Sequence, residues 1–427
     1  MKPQELLEKL HAGAFDARIA EVYGEEKLAE SRARIASVTE GFLARFEGAQ
    51  ARDVVIFSAP GRTELGGNHT DHQGGCVLAG SVDMDTLACA AKNDSTIIRV
   101  HSKGHAPAEV DAADASIHPE ETGNSPALVR GVACRIRSLG YDAGGFDAYT
   151  ETQVLRGSGL SSSAAFEVLL AEIENEFFCG GALDATALAQ IGQYAENVYY
   201  GKPCGLMDQM ACATGGVIAI DFANAQTPAV RRCAVDFARE GRTLVIIDSG
   251  ASHANLDAEY AAIPADMCAA ARLFGAERLR DVDEATFLRA RPRVAAQCGE
   301  RAALRAEHFF AESRRALAQY EALEGGDFEE YLALVRASGQ SSEEKLQNVS
   351  IDRPDGDRLL KVIRLARELA GRKGAARVHG GGFAGTVQAI VPNDRLERFI
   401  AGMEAFSGKG SCHLVRIRDA GSIRLLP

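Results

Sequence analysis

The sequence has no tryptophan, and its ten cysteines form no Cys-x-x-Cys motif. Scattered cysteines argue against a disulfide framework or a structural zinc site, and they are typical of a reducing compartment. The first residues lack the apolar core of a signal peptide, and no apolar run approaches the length of a transmembrane helix. We therefore expect a cytoplasmic protein that does not enter a membrane.

Clustered positive charge is also missing: lysines and arginines form no block, and the formal net charge is −12. A chain of this charge is a poor partner for nucleic acids and for anionic membrane surfaces. Nothing in the sequence indicates an obligate protein partner. The length of 427 residues is sufficient for two or three domains with a large hydrophobic core.

The stretch Gly157-Ser-Gly-Leu-Ser-Ser-Ser-Ala-Ala165 is the most informative part of the chain. It lies between an extended run at 146–154 and a helical pattern whose apolar residues recur at spacings of three and four. Glycine allows the backbone to come close to a ligand, and serines at a helix start leave N–H groups and hydroxyls free for an anion. The stretch therefore predicts a phosphate-binding turn at a helix N-terminus.

Three other interpretations of this stretch fit less well. A Walker loop ends in Gly-Lys-Ser/Thr, and the stretch contains no lysine. A dinucleotide fingerprint needs a third glycine, where this chain has Ser162. A flexible Gly/Ser linker stays an alternative, although linkers do not usually run directly into a patterned helix.

Two further glycine-rich segments flank predicted strands. Ala59-Pro-Gly-Arg62 follows a strand predicted at 53–58 and leads into residues 63–75, where Glu, Asn, His and Asp stand among glycines. Polar groups on such a turn can converge on a ligand, and a solvated surface loop is the alternative. The turn at 380–385 precedes a strand predicted at 386–391, and it indicates another close backbone approach.

Two acidic residues have the surroundings of functional groups. Glu196 falls at the edge of the apolar face of a helix predicted from Asp184 to Tyr200, so its carboxylate is predicted to point inward. A Mg²⁺ ion is a natural partner for a half-buried glutamate, and a salt bridge or solvent is the alternative. Asp208 follows a Pro/Gly turn and has apolar neighbours, which makes it a candidate base or else a helix cap.

The remaining pattern alternates strands with helices. Residues 1–48 are predicted to be a helical extension that packs on the body of the protein, and residues 292–345 a long helical region. Further strands are predicted at 82–92, 96–102, 215–222, 242–248 and within 412–426.

Taken together, the motifs resemble the galactokinase, homoserine kinase, mevalonate kinase and phosphomevalonate kinase superfamily (the GHMP kinases), and within it the galactokinases. The resemblance spans residues 53–391, most of the chain. The matching segments are Ala59–Arg62, His69–Asp71, Gly159–Ala164, Ala195–Asn197, Cys204–Gln209, Glu259–Tyr260 and Gly380–Phe383.

This resemblance implies an α+β fold with the active site between an N-terminal and a C-terminal kinase domain. The expected units are the extension at 1–48, a first kinase domain at 49–228 and a second at 229–427. ATP and Mg²⁺ are the implied cosubstrates, and galactose is the implied sugar, phosphorylated at its anomeric hydroxyl. The adenine cannot stack on an indole, because the chain has no tryptophan.

The resemblance also assigns roles to single residues. Asp208 matches the catalytic aspartate that takes the hydroxyl proton, and Arg62 matches the arginine beside it, which would keep the aspartate ionised. Ser163 and Glu196 match the magnesium ligands. The implied sugar-binding residues are Asn68, His69, Asp71, Gly205 and Tyr260, and the implied ATP-binding residues are Gly157, Ser158, Gly159, Leu160, Ser161, Ser162, Ser163 and Ala164.

The sugar-binding segment departs from the family pattern. Asn68 stands where galactokinases have a glutamate that contacts the sugar near C6, and Glu64 stands where they have an asparagine. Loss of a carboxylate near C6 removes a repulsion against an anionic substituent there. A galactose relative such as galacturonate is therefore an alternative substrate.

Two other functions are weaker alternatives. A catalytically silent sensor would bind sugar and ATP without turnover, but Arg62, Asp208 and the Ser161–Ala165 segment are intact and favour the enzyme. A mevalonate- or homoserine-type kinase would not explain the matches at His69–Asp71 and Cys204–Gln209.

Overall fold

The computed structural model describes residues 1–154, 159–224, 226–251 and 256–427, and it contains both helices and strands, as the predicted α+β class requires. The strands of these ranges are β1 Val55–Gly66, β2 Cys76–Lys92, β3 Ile97–Ser102, β4 Ala108–Asp111, β5 Phe146–Thr152, β6 Val217–Asp221, β7 Ala229–Cys233, β8 Arg242–Asp248, β9 Ala375–His379, β10 Thr386–Pro392, β11 Cys412–Val415 and β12 Ile423–Leu426.

Helices cover both sheets. The α-helices of the described ranges are α1 Pro3–His11, α2 Asp16–Tyr23, α3 Leu28–Arg45, α4 Ser125–Ser138, α5 Ser162–Phe178, α6 Ala185–Tyr194, α7 Met207–Thr214, α8 Asp257–Arg272, α9 Glu284–Cys298, α10 Glu300–Glu324, α11 Phe328–Ser341, α12 Arg358–Ala370 and α13 Leu396–Ser407. Helix α6 continues as a π-helix at Ala195–Tyr200, and α11 continues in the same way at Ser342–Leu346. None of the helices in the described part of the chain is both long and apolar enough to span a membrane.

The strands form two sheets. The first has the order β12-β1-β2-β5-β3-β4, with β6 paired to β2 and β7 paired to β6. Its neighbours are antiparallel except for the parallel pair of β3 and β5. The second sheet has the order β11-β8-β10-β9 and is antiparallel throughout.

Strand β1 lies between β12 and β2 in the first sheet, and every residue from Ile56 to Gly66 is buried. A strand covered on both faces has no need of polar alternation, which explains its continuous burial. Here the structure differs from the prediction, which ended the strand at residue 58. Pairing with β2 continues past Pro60, because register shifts at Pro60/Arg62 and Glu64/Gly66 absorb the irregular segment.

The N-terminal helices α1–α3 cover one face of the first sheet. Their apolar residues form a buried cluster with Ile56, Leu87 and Cys89 of β1 and β2. A buried polar anchor holds them: Asp85 accepts hydrogen bonds from the Tyr23 hydroxyl at 2.5 Å and from Arg34 Nη2 at 2.7 Å. An apolar cluster and several ionic contacts therefore hold this helical segment on the body of the protein.

The two ends of the predicted second domain lie in the first sheet. Strand β7 pairs with β6, and β12 pairs with β1 through Phe57 and Arg424. The chain therefore returns to the first sheet after forming the second one. The domain boundaries at 48/49 and 228/229 themselves stay a prediction.

Helix α5 is almost entirely buried and carries a glutamate in its core. Glu174 is 1% exposed, and among the described residues neither of its carboxylate oxygens has a hydrogen-bond partner. Burial raises the pKa of Glu174 to about 8. The folded protein therefore keeps a proton that the unfolded chain releases above pH 4.5.

We predict that Glu174→Gln makes the stability of the protein less dependent on pH between pH 4.5 and about 8. Between pH 4.5 and about 8 the buried carboxyl lowers the free energy of unfolding by about 1.4 kcal/mol per pH unit, and the amide removes this term. Urea denaturation at several pH values measures the difference, and Glu321→Gln, an exposed position, is the control. An equal pH slope in the wild type and in Glu174→Gln would show that Glu174 is ionised in the folded state.

Candidate active site

An arginine of β1 and an aspartate of α7 form the centre of the site. Arg62 Nε lies 2.7 Å from Asp208 Oδ1, and Arg62 Nη2 lies 2.7 Å from Asp208 Oδ2. Arg62 is buried, whereas about a third (32%) of the Asp208 side chain is exposed. The two residues predicted to be catalytic are thus a bidentate ion pair with one open side, from which a ligand can reach the carboxylate.

The ion pair determines the protonation state of Asp208. Burial alone would raise the pKa of Asp208, but the charge and hydrogen bonds of Arg62, with a hydrogen bond from Ser161, outweigh it and lower the pKa below its usual range. The carboxylate is therefore ionised at neutral pH. It can accept a hydrogen bond from a substrate hydroxyl.

The phosphate turn (157–164) approaches the same ion pair. The Leu160 carbonyl accepts a hydrogen bond from the Arg62 N–H at 3.0 Å, and the Gly159 carbonyl accepts one from Arg62 Nη1. The Ser161 hydroxyl donates to Asp208 Oδ2. Gly157 and Ser158, the first two predicted residues of this turn, lie outside the described residues.

The rest of the phosphate turn opens helix α5. Ser161 has the left-handed φ of 59°, and the helix begins at Ser162, followed by Ser163 and Ala164. The Ser161 side chain makes no capping hydrogen bond to the helix, because its hydroxyl is hydrogen-bonded to Asp208. A helix start of this kind carries backbone N–H groups that bind anions. The predicted phosphate-binding residues from Gly159 to Ala164 therefore lie directly beside the Arg62–Asp208 pair.

Glu196 points inward, as its position on the helix predicts. It is 3% exposed, and Ser163 Oγ lies 3.4 Å from its Oε1. Lys202 Nζ lies 2.8 Å from the same oxygen, and Gln209 Nε2 donates to Oε2 at 3.0 Å. The salt bridge to Lys202 is the alternative that the sequence left open beside magnesium.

The polar loop (67–75) meets the glycine turn (380–385) of the second sheet. His69 Nε2 donates to the Gly381 carbonyl at 2.8 Å, and the Tyr260 hydroxyl donates to the Gly382 carbonyl at 2.9 Å. Asp71 lies against Gly205, since a Cβ at residue 205 would be 2.1 Å from Asp71 Oδ2. Of the five residues predicted to bind sugar, two therefore contact the glycine turn, and two more, Asp71 and Gly205, contact each other.

Asn68, the fifth, is completely buried. Its Nδ2 donates to the Gly380 carbonyl at 2.7 Å and to Glu64 Oε1 at 3.1 Å, and its Oδ1 accepts from Asn348 Nδ2 at 2.9 Å. The side chain thus holds the polar loop on the glycine turn and on neighbouring polar groups. A direct contact between Asn68 and a sugar stays a prediction.

Sequence reasoning missed the partners of these residues. Arg377 is fully buried and forms a salt bridge with Glu64, and His308 Nε2 donates to the Asn68 carbonyl at 2.9 Å. The sequence held one usable signal, because Arg377 stands in the middle of the apolar strand β9. His308 gave no such signal, since it is one of many polar residues in the long helix α10.

Two family models match the chain. The model for the GHMP kinase N-terminal domain matches residues 127–216, which include the phosphate turn, Glu196 and Asp208. The model for the galactokinase galactose-binding signature matches residues 40–92, which include Arg62 and the whole polar loop. The resemblance seen in the motifs is confirmed: the chain is a kinase that carries a match to the GHMP kinase N-terminal domain and one to the galactokinase galactose-binding signature.

Solved structures agree in fold. The galactokinase of Lactococcus lactis, crystallised with galactose, is 22% identical, covers 91% of this chain and 99% of its own, and superposes with a TM-score of 0.78. The mevalonate kinase of Methanococcus jannaschii is 14% identical over 86% and 98%, with a TM-score of 0.60. The phosphomevalonate kinase of Streptococcus pneumoniae is 12% identical over 85% and 99%, with a TM-score of 0.58. Within the GHMP kinases, the galactose-binding signature marks the chain as galactokinase-like.

We predict that Gly205→Ala weakens sugar binding. The added methyl would meet Asp71 Oδ2 and force the carboxylate away from its present position. If Asp71 binds the sugar, KM for the sugar rises about tenfold through the loss of a charged hydrogen bond, while KM for Mg-ATP stays close to the wild-type value. Steady-state kinetics with each substrate varied in turn measures both constants. An unchanged sugar KM would remove Asp71 from the list of sugar ligands.

Proposed function

We propose that this kinase transfers the γ-phosphoryl group of ATP to the anomeric hydroxyl of galactose. The observation that carries the proposal is the position of Asp208, an ionised carboxylate joined by Ser161 to the N-terminus of α5. A proton acceptor and an anion-binding helix start are therefore neighbours. The galactose-binding signature at 40–92 supports galactose as the first candidate sugar.

The roles of the residues follow from this arrangement. The anomeric oxygen attacks the γ-phosphorus, the bond to the β-phosphate oxygen breaks, and the hydroxyl proton passes to the Asp208 carboxylate. Arg62 keeps that carboxylate ionised and oriented before transfer, and its buried charge favours negative charge developing beside it. The start of α5 offers N–H groups to the phosphates of ATP.

Ser163 and Glu196 fit a magnesium ion. Their oxygens lie 3.4 Å apart beside the start of α5, and Mg²⁺ in kinases usually takes one or two protein oxygens and completes its shell with water and phosphates. Bound there, the ion would neutralise charge on the β- and γ-phosphates.

A galactose relative altered at C6 is the second candidate substrate. Of the two positions that depart from the galactokinase pattern, residue 64 carries a carboxylate and residue 68 does not. The carboxylate of Glu64 is neutralised by its buried salt bridge with Arg377. Residue 68 has an uncharged amide, which forms hydrogen bonds with the Gly380 carbonyl and with Asn348. If residue 68 lies near C6, as the resemblance implies, no unpaired carboxylate faces that position, and an anionic C6 group would meet less repulsion.

Asp208→Asn is predicted to lower kcat by about 10²–10⁴-fold, because an amide of the same shape cannot take the proton. Binding of Mg-ATP, measured by calorimetry, should stay close to that of the wild type, since the start of α5 is unchanged. Asp394→Asn, at an exposed turn far from this ion pair, is the control and should behave as the wild type. Wild-type kcat in Asp208→Asn would eliminate Asp208 as the base.

ADP release with a sugar panel tests the substrate. Mg-ATP is combined with galactose, galacturonate, N-acetylgalactosamine, glucose or arabinose, and we expect selective turnover of galactose or of a C6-altered relative. Tight sugar binding without turnover of any sugar would support the silent sensor and refute the kinase proposal.

The exchange Glu64→Asn with Asn68→Glu tests the C6 argument. Asn68→Glu alone would put a second carboxylate beside Glu64 in a buried site, which we expect to destabilise the protein. The double exchange keeps one carboxylate and one amide, and it should shift the ratio of kcat/KM for galactose over galacturonate toward galactose by about tenfold. Thermal melting confirms folding, and an unchanged ratio in a folded double variant would contradict the argument.

A further inference from the structure

His379 is a buried histidine behind the catalytic pair, and the mechanism above does not use it. It is the last residue of β9 and is 2% exposed. Its Nε2 accepts a hydrogen bond from the Glu64 N–H at 3.3 Å and lies 3.1 Å from Thr63 Oγ1. Its Nδ1 lies 2.9 Å from Thr386 Oγ1. The ring therefore joins β1 of the first sheet to β9 and β10 of the second.

These contacts fix the tautomer of the ring. A backbone N–H can only donate, so the Nε2 that faces Glu64 carries no proton, and Nδ1–H donates to the Thr386 hydroxyl. Burial, with the positive charges of Arg62 and Arg377, lowers the pKa of His379 well below its usual range. The ring is thus a neutral acceptor toward β1.

The same ring lies against the phosphate turn. A Cβ at Gly159 would be 2.9 Å from both His379 Nδ1 and Thr386 Oγ1, so only glycine fits between them and the turn. The Gly159 carbonyl in turn accepts a hydrogen bond from Arg62, which directly precedes Thr63. His379 therefore contacts both the segment that carries Arg62 and the turn that receives its guanidinium.

We propose that His379 is a positioning residue for phosphoryl transfer: through Nε2 it fixes the β1 backbone next to Arg62, and through its ring it sets the distance to Gly159. The proposal rests on the kinase function above. Because the ring belongs to the second sheet, it ties the orientation of the Arg62–Asp208 pair to the contact between the two sheets.

Three variants separate positioning from mere stability. In His379→Gln the amide carbonyl reaches the place of Nε2 and can accept from the Glu64 N–H. In His379→Asn the shorter side chain reaches only the place of Nδ1, and His379→Leu retains neither nitrogen. We expect Gln to keep kcat within about fivefold of the wild type, and Asn and Leu to lose about 10–100-fold, with little change in the sugar KM.

Melting temperatures and kinetics are compared across the set. A kcat that is restored by Gln but not by Asn at equal melting temperature supports positioning. Equal kcat losses in Gln and Asn, unchanged kcat in all three variants, or losses that follow the melting temperature would overturn it. Each kcat is compared with that of the wild type on the same sugar, so the result does not depend on which sugar is the substrate.

Nitrogen NMR of the wild type with labelled imidazole provides a second test that needs no turnover. The ring-nitrogen signals of His379 are assigned as those that are lost in His379→Gln. They should show the neutral Nδ1–H tautomer without titration between about pH 6 and pH 9. An Nε2–H tautomer, or titration within that range, would refute the acceptor role even if the protein proves to be an active kinase. Absence of turnover with any sugar would instead refute the proposed function, on which the positioning role depends.

Discussion

The ion pair between Arg62 and Asp208 is the interaction on which the arrangement of the site depends. A buried guanidinium must be neutralised and hydrogen-bonded, and Arg62 meets this requirement with the carboxylate of α7 and the Gly159 carbonyl. One side chain therefore ties together β1, α7 and the phosphate turn. The pair also keeps Asp208 ionised, so the group that stabilises the local fold also sets the charge of the carboxylate.

A second buried polar network holds the polar loop in place. Arg377 pairs with Glu64, and the Asn68 amide is shared among Glu64, Gly380 and Asn348. Such a network is costly to bury unless its members are paired, and then it restricts the loop to one arrangement. Its members come from β1, the polar loop, β9, the glycine turn and Asn348, which follows the π-helix at Ser342–Leu346. The two sheets are therefore joined by polar contacts at the site itself, and a change at residue 68 is felt in both.

Close backbone approach explains where glycine is required. A side chain at Gly61 would lie 2.7 Å from the Leu160 carbonyl, which receives the Arg62 N–H at 3.0 Å. At Gly205 it would displace Asp71, and at Gly159 it would meet His379. In each case the missing Cβ allows a close contact between segments that a side chain would separate. Gly61, Gly159 and Gly205 thus let β1, the phosphate turn and the polar loop approach their neighbours closely.

The sequence by itself determined much of the local structure of this protein and singled out the candidate residues of its site. Strand β8 has the predicted bounds, and Asp184, at the predicted start of a helix, caps α6 through the Ala187 N–H. Short motifs singled out Arg62, Asp208, Ser163 and Glu196, whose roles stay predictions. Local patterns suffice there, because hydrophobic period, capping and turn chemistry act over a few residues. Only the tertiary structure decided that β12 returns to β1, that Glu64 pairs with Arg377 and that His379 reaches Gly159. These partners are 220 or more residues apart, and register and packing, which no local pattern encodes, bring them together.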